Sequence, residues 1–356
     1  MLPYVELHVR SAFSFLCGAS IPESYVAQIA TLIERGLTAP AMALTDVDGV
    51  YGSVRFHSAA KKYGIRAHVG AEVSGEAGRY TLLCQSRTGY QNLCRLITRC
   101  KLRMGAKHPK PGSQARATFD DLAEFAEGLI CLTGGEEGPL AHTLRHGRAA
   151  TIFDRLLAIY GRDNVFVELQ RHLDPEEEKR NQAAVAFARS WKLPLVATNG
   201  VCYASPPERR ILDVFTCLQH KTTLADAGRL LERNSEWYLK SARQMNELFT
   251  DLPEAIANTR LISCRLEYTL EDLGYEFPRY PLPPGETIES LLWKLTDEGA
   301  RKRYTPYHEK ARTQIERELK LINHLKPERV LPHRVGYRQV LPFAPHYMSR
   351  ARECGQ

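Results

Sequence analysis

Residues 43–73 read ALTDVDGVYGSVRFHSAAKKYGIRAHVGAEV. With the preceding PAM they form an apolar run, AMALT, that stops at Asp46 and reads as a buried strand. Residues 52–63 follow as a helix that Gly64 closes. IRAHVGAEV is then a second short strand and turn, carrying Glu72 near its end. A strand, a helix and a strand in this order define a right-handed β-α unit.

The same alternation continues outward. YVELHV opens the chain as a short strand. Ser20 is placed to cap a helix with Pro22 and Glu23 in its first turn. Val26, Ile29, Ala30 and Ile33 share one face of it, and Gly36 suits its end. YTLLC, LICLTG, VFVELQ and LPLVATN read as further strands, with helices expected near 89–100, 119–126, 148–160 and 175–191. The fold class this predicts is α/β, with a parallel sheet or barrel. Asp46, Glu72 and Asn199 fall at strand carboxyl ends, where a β/α barrel carries its site.

From about residue 205 the pattern turns helical: ERRILDVFTCLQ, LADAGRLL, SARQMNELF and LPEAIANTRLI. The Pro-rich stretch EFPRYPLPPGET marks a boundary. ESLLWKLTDEGARKRY and EKARTQIERELKLINHL then read as amphipathic helices, with Ile315, Leu319 and Ile322 at helical spacing. The last 31 residues, 326–356, show neither period. A disordered basic tail and an out-of-frame tail are both open readings.

Of the 356 residues 44% are hydrophobic, enough for a sizeable core, and no apolar run reaches membrane-spanning length. MLPYVELHVR lacks an apolar signal core, which points to a cytoplasmic protein. The nine cysteines include no CxxC pair, so buried free thiols are expected and no structural zinc spacing exists. The net charge of +7 leans toward polyanions. Its richest basic stretch, residues 101–116, offers Lys101, Arg103, Lys107 and Lys110 as phosphate contacts. The Gly and Pro there equally suit a solvated loop.

The motifs together resemble a known family. YVELHVRSAFSFLCGASIPESYV is similar to the first motif of the polymerase and histidinol phosphatase (PHP) domain, and 43–73 to its second. LICLTGGEEGPLA, VFVELQRHL and LPLVATNGVCYASPPERR keep the family's order. ELHxxSxFSFLxGAS, with ELQRH and LKS later, most resembles the bacterial error-prone C-family DNA polymerases, over roughly residues 3–325. The resemblance implies a distorted seven-stranded, TIM-like β/α barrel at 1–204 and a helical extension at 205–280. It further implies the start of the polymerase palm and thumb at 281–325 and a divergent, disordered or frameshifted tail at 326–356. It implies a DNA-directed DNA polymerase, a nucleotidyltransferase acting in damage-induced mutagenesis and translesion synthesis. Mg²⁺ would be held by palm carboxylates, which in full-length relatives lie beyond residue 356. DNA, deoxynucleotides, and a sliding clamp or other mutasome subunits are the implied partners, with no membrane.

The same resemblance locates a metal site. A working PHP phosphoesterase gathers His and carboxylate ligands for Zn or Mn. Here His8, Asp46 and Glu72 match that pattern, and His172 in ELQRH is a further candidate. Four ligand positions carry Arg10, Val47, Gly200 and Cys202 instead. A guanidinium does not coordinate metals, so the site is expected to be vestigial, with Arg10 filling the vacated volume beside the carboxylates. His8 as a satisfied core residue, and Asp46 and Glu72 as structural carboxylates, are the alternatives. The functional alternatives are a metal-dependent PHP phosphoesterase and a non-catalytic DNA- or subunit-binding module. Gly134–Gly135 lacks the Lys-Ser/Thr of a phosphate loop, and His142/His146 lack a third ligand.

Overall fold

The computed structural model describes residues 1–36, 38–103, 116–145, 149–271 and 282–324. The chain divides into two units, Met1–Leu273 and Gly274–Gln356.

The first unit is built on one mixed sheet whose strands lie in chain order. These are β1 (Ala41–Val47), β2 (Arg66–Gly75), β3 (Gly78–Cys84), β4 (Leu129–Leu132), β5 (Val165–Leu169) and β6 (Leu195–Ala197). The helices are α1 (Pro22–Glu34), α2 (Ser53–Lys61), α3 (Arg87–Arg103), α4 (Phe119–Glu124), α5 (Pro139–Arg145), α6 (Ala149–Tyr160), α7 (Pro175–Trp191), α8 (Arg209–His220), α9 (Ala242–Leu248) and α10 (Pro253–Arg265).

Two sequence expectations change here. β1 and β2 pair in parallel, as do β4 with β5 and β5 with β6, but β3 runs against both of its neighbours. The reversal is a tight hairpin in which Gly75 pairs with Gly78. Gly78 has φ +131°, and a Cβ on Gly75 would meet the Tyr80 ring at 2.2 Å, so glycine is needed at both corners. Among the described residues the sheet has six strands, not the seven implied by the resemblance. The opening YVELHV makes only isolated bridges, Glu6 to Met42 and Val9 to Val201. Even so, it lies between β1 and the segment that follows β6. Ala43 N donates to Glu6 O and Thr45 N to Val9 O on one side, and Arg10 N donates to Val201 O on the other.

One face of the sheet buries Val69, Ala71, Val73, Leu82, Cys131, Val167 and Leu195 in the largest apolar cluster. Residues from α3, α4, α6 and α7, including Leu93, Leu96, Leu122, Phe153, Leu156 and Ala188, complete that cluster. The opposite face gathers Leu83, Ile130, Leu132, Phe166 and Val196 with Val5, Leu7 and Ala43, closed by Ile262 and Leu266 near the end of α10. This alternation of faces is the period of two expected along buried strands.

Smaller differences have local causes. Ser20 does not cap α1; its hydroxyl donates to Glu208, and Pro22 begins the helix behind Ile21. LADAGRLL forms only a 3₁₀ turn, Gly228–Leu230. The cysteines described are all free thiols, with Cys84, Cys100, Cys131, Cys202 and Cys217 buried. Among the described residues no helix is long and apolar enough to cross a membrane.

The second unit contains α11 (Ile288–Arg303) and α12 (Glu309–His324), in which Leu319 is buried. Residues 326–356, whose reading as a tail was left open, lie outside the described residues.

Candidate functional site

The strand register brings the site together. Val47 pairs with Glu72 across β1 and β2, and Glu72 pairs with Thr81 across β2 and β3. Glu168 stands opposite Val196 between β5 and β6. The opening segment sets His8 among them. Its Nδ1 lies 2.6 Å from Glu168 Oε1, and its Nε2 lies 2.9 Å from Glu72 Oε1 as a charge contact. His8, Glu72 and Glu168 are each about 97% or more buried.

Arg10 completes the cluster from the mouth. Its Nε donates to Glu72 Oε1 at 2.5 Å and its Nη2 to Glu72 Oε2 at 2.8 Å. Nη2 also reaches Glu137 Oε2 at 2.9 Å, which Arg79 Nη1 contacts at 2.6 Å. The planar guanidinium fork matches a carboxylate edge, the geometry that makes such pairs strong.

Electrostatics follow from this order. Burial works to strip the His8 proton, but Glu168 and Glu72 outweigh it and push its pKa up to about 10. Burial likewise opposes charge on Glu72, yet Arg10 and His8 hold it well below the carboxylate range. Glu168 is also kept ionised against burial, mainly by His8, with hydrogen bonds from Thr198 and Gln170. Two carboxylates therefore face two cations inside the fold. Beside them Glu6 accepts from Tyr4 Oη at 2.5 Å and from the Asn199 and His8 amides, and burial raises its pKa to about 7.

The other predicted residues are placed differently. Asp46 is buried and serves as a loop organiser: Oδ1 accepts from Ser11 N, Ser11 Oγ and Ser14 Oγ, and Oδ2 accepts from Gly52 N. His172 has both ring nitrogens engaged, Nδ1 with Glu177 at 2.7 Å and Nε2 with the Asn199 carbonyl at 2.9 Å. Its ring stacks on Trp237, 3.6 Å between centroids. Asn199 braces the segment after it by donating to the carbonyls of Glu236 and Tyr238.

A metal cluster does not fit these residues. Both His8 ring nitrogens sit directly against carboxylates, Nδ1 at 2.6 Å from Glu168 and Nε2 at 2.9 Å from Glu72. The Glu72 oxygens are taken by Arg10. Burial first of all pushes the Cys202 thiol up to about 12. Gly200 has φ +51°, and a Cβ there would meet the Gln170 amide at 2.7–2.9 Å. Gln170 thus fills the space where the family pattern puts a carboxylate. Among the described residues no group of three or more His, Cys, Asp or Glu side chains is arranged to hold a metal ion.

Of the proposed phosphate contacts, Arg103 is committed to Asp121 by two contacts of 2.7 and 2.8 Å, and Lys101 lies against Tyr51. Lys107 and Lys110 lie outside the described residues, as does His146 of the His142/His146 pair. Glu168, Glu6 and Gln170 were not singled out in the sequence. Their one signal was polar residues interrupting apolar strand runs, VELH and VFVELQ.

Residues 6–172 match the family described as the PHP domain. Across most of its length the chain is homologous to error-prone DNA polymerases. It is 35% identical to the error-prone DNA polymerase of Mycolicibacterium paratuberculosis over 91% of this chain and 30% of that protein. It is 32% identical to that of Bradyrhizobium diazoefficiens over 91% of this chain and 28% of that protein. The match in Anaeromyxobacter dehalogenans is 36% identical over 79% of this chain and 24% of that protein. The chain thus spans about a third or less of the length of these relatives.

Proposed function

We propose that this chain provides the barrel scaffold of an error-prone DNA-directed DNA polymerase, a nucleotidyltransferase of translesion synthesis and damage-induced mutagenesis. In that reading the opening segment is the seventh strand of a distorted barrel. DNA and deoxynucleotides are the substrates, Mg²⁺ serves the polymerase's palm carboxylates, and a sliding clamp or other mutasome subunits are partners in the cytoplasm. The homology supports the polymerase assignment. The scaffold role is supported by one observation above the rest: the Arg10 fork on Glu72. An always-charged guanidinium there takes the oxygens a hydrolytic metal would use.

The polymerase role is tested by deleting the gene and scoring mutation frequency after ultraviolet damage. A clear fall is expected, and an unchanged frequency counts against it. The scaffold role is tested with p-nitrophenyl phosphate and Mn²⁺ or Zn²⁺. No turnover is expected; turnover abolished by Glu72→Ala contradicts it.

A further inference from the structure

We propose that Phe13, Phe15, Tyr51, Arg55 and Lys101 form a surface that binds single-stranded DNA by base stacking. The choice of DNA over RNA rests on the polymerase reading above; the rest stands on the surface itself.

Three rings are held out in solvent. Phe15 is 78% exposed, Tyr51 49% and Phe13 37%. They are not on loose backbone. The loop bearing Phe13 and Phe15 is tied to Asp46 through Ser11 and Ser14, and the turn bearing Tyr51 is tied to the same carboxylate through Gly52 N. Ordering these rings on binding therefore costs little. Leu16, directly after Phe15, has φ +65°, a conformation disfavoured for a branched side chain. Backbone strain of this kind gathers where a loop is shaped for binding.

Cations accompany the rings. The Arg55 guanidinium lies 5.4 Å from the Phe13 centroid, and the Lys101 ammonium lies 4.5 Å from the Tyr51 centroid. Arg55 shares one nitrogen with Glu23, yet its side chain remains 52% exposed. Lys101 sits near the end of α3, where its basic neighbours Arg99 and Arg103 are paired with Glu124 and Asp121. Flat apolar faces beside positive charge suit a ligand with unpaired bases and a phosphate chain. Duplex DNA hides its base faces; a single strand offers them.

The test is fluorescence anisotropy of the full chain with labelled oligothymidylate, a duplex of equal length and oligouridylate. Single-stranded DNA is expected to bind best, weakening with salt. Phe15→Ala or Tyr51→Ala should each weaken it by about 5- to 150-fold. Tyr63→Ala, an exposed ring beyond the far end of α2, should leave it unchanged, with folding checked by thermal melting. No binding, equal or tighter binding of duplex or oligouridylate, or undiminished binding by the Phe15/Tyr51 double variant would overturn the proposal. None of these outcomes bears on metal content, so the scaffold reading stands or falls separately.

Discussion

The Arg10 guanidinium holds both oxygens of Glu72, at 2.5 and 2.8 Å, while His8 approaches one of them from inside at 2.9 Å. Glu72 is 1% exposed, so its charge depends on those two cations. Removing one leaves a buried, half-compensated carboxylate. Arg10→Ala is expected to lower unfolding stability by about 3–5 kcal/mol in a denaturant titration, the usual cost of breaking a buried pair from one side. Arg10→Lys keeps the charge but not the fork and should fall between. A cost below about 1 kcal/mol for Arg10→Ala would show that the pair does not matter.

Stability should depend on pH through His8 with a definite sign. Its folded pKa, about 10, is above its ordinary 6.5. The stabilisation is thus complete below 6.5 and is lost as pH rises through about 10. Glu72 acts oppositely: its depressed pKa makes its contribution complete above 4.5 and lost in strong acid. Melting temperature should fall from neutrality to mildly alkaline pH, and His8→Gln should flatten that fall. An equal slope in the variant assigns the effect elsewhere.

Asp46 is expected to matter for loops rather than chemistry. Its carboxylate takes hydrogen bonds from Ser11, Ser14 and Gly52. Asp46→Ala strands several buried donors at about 1–3 kcal/mol each, less whatever relaxation recovers. Limited proteolysis should then cut within residues 11–18, which the unaltered chain resists. Unchanged cleavage would remove Asp46 from this role.

Position 200 tests whether the old ligand volume is truly filled. Gly200→Asp meets a left-handed φ and the Gln170 amide, and should destabilise by about 1–3 kcal/mol. Gln170→Ala in the same chain should recover part of that loss, a coupling readable in a double-mutant cycle. Strict additivity would place Gln170 outside the vacated space.

These residues also show what the sequence made legible. β1 ending near Asp46, α2 after it, and α7 at Pro175–Trp191 could be read because periodicity and capping are local. That Arg10, Val47, Gly200 and Cys202 stand where the resemblance implies metal ligands is likewise legible in the motifs themselves. The reversal of β3 was not, because IRAHVGAEV and YTLLC read as two separate strands and nothing local in the Glu76–Ala77 link says which way the second one runs. Glu168 as the second partner of His8 was hidden by its position within β5: which residue a buried carboxylate meets is decided by strands 160 residues apart in sequence. Gln170 filling the space at Gly200 is a tertiary fact of the same kind.

In the proposed scaffold the His8, Arg10, Glu72 and Glu168 ion pairs stand where the PHP resemblance implies a metal centre. Elemental analysis of the purified chain after incubation with Mn²⁺ and Zn²⁺ and removal of free metal tests it most directly, with melting curves taken before and after EDTA. Far less than one metal per chain is expected, with a melting temperature that EDTA leaves unchanged. Stoichiometric metal that is lost on Glu72→Ala, with a lower melting temperature after chelation, would contradict it.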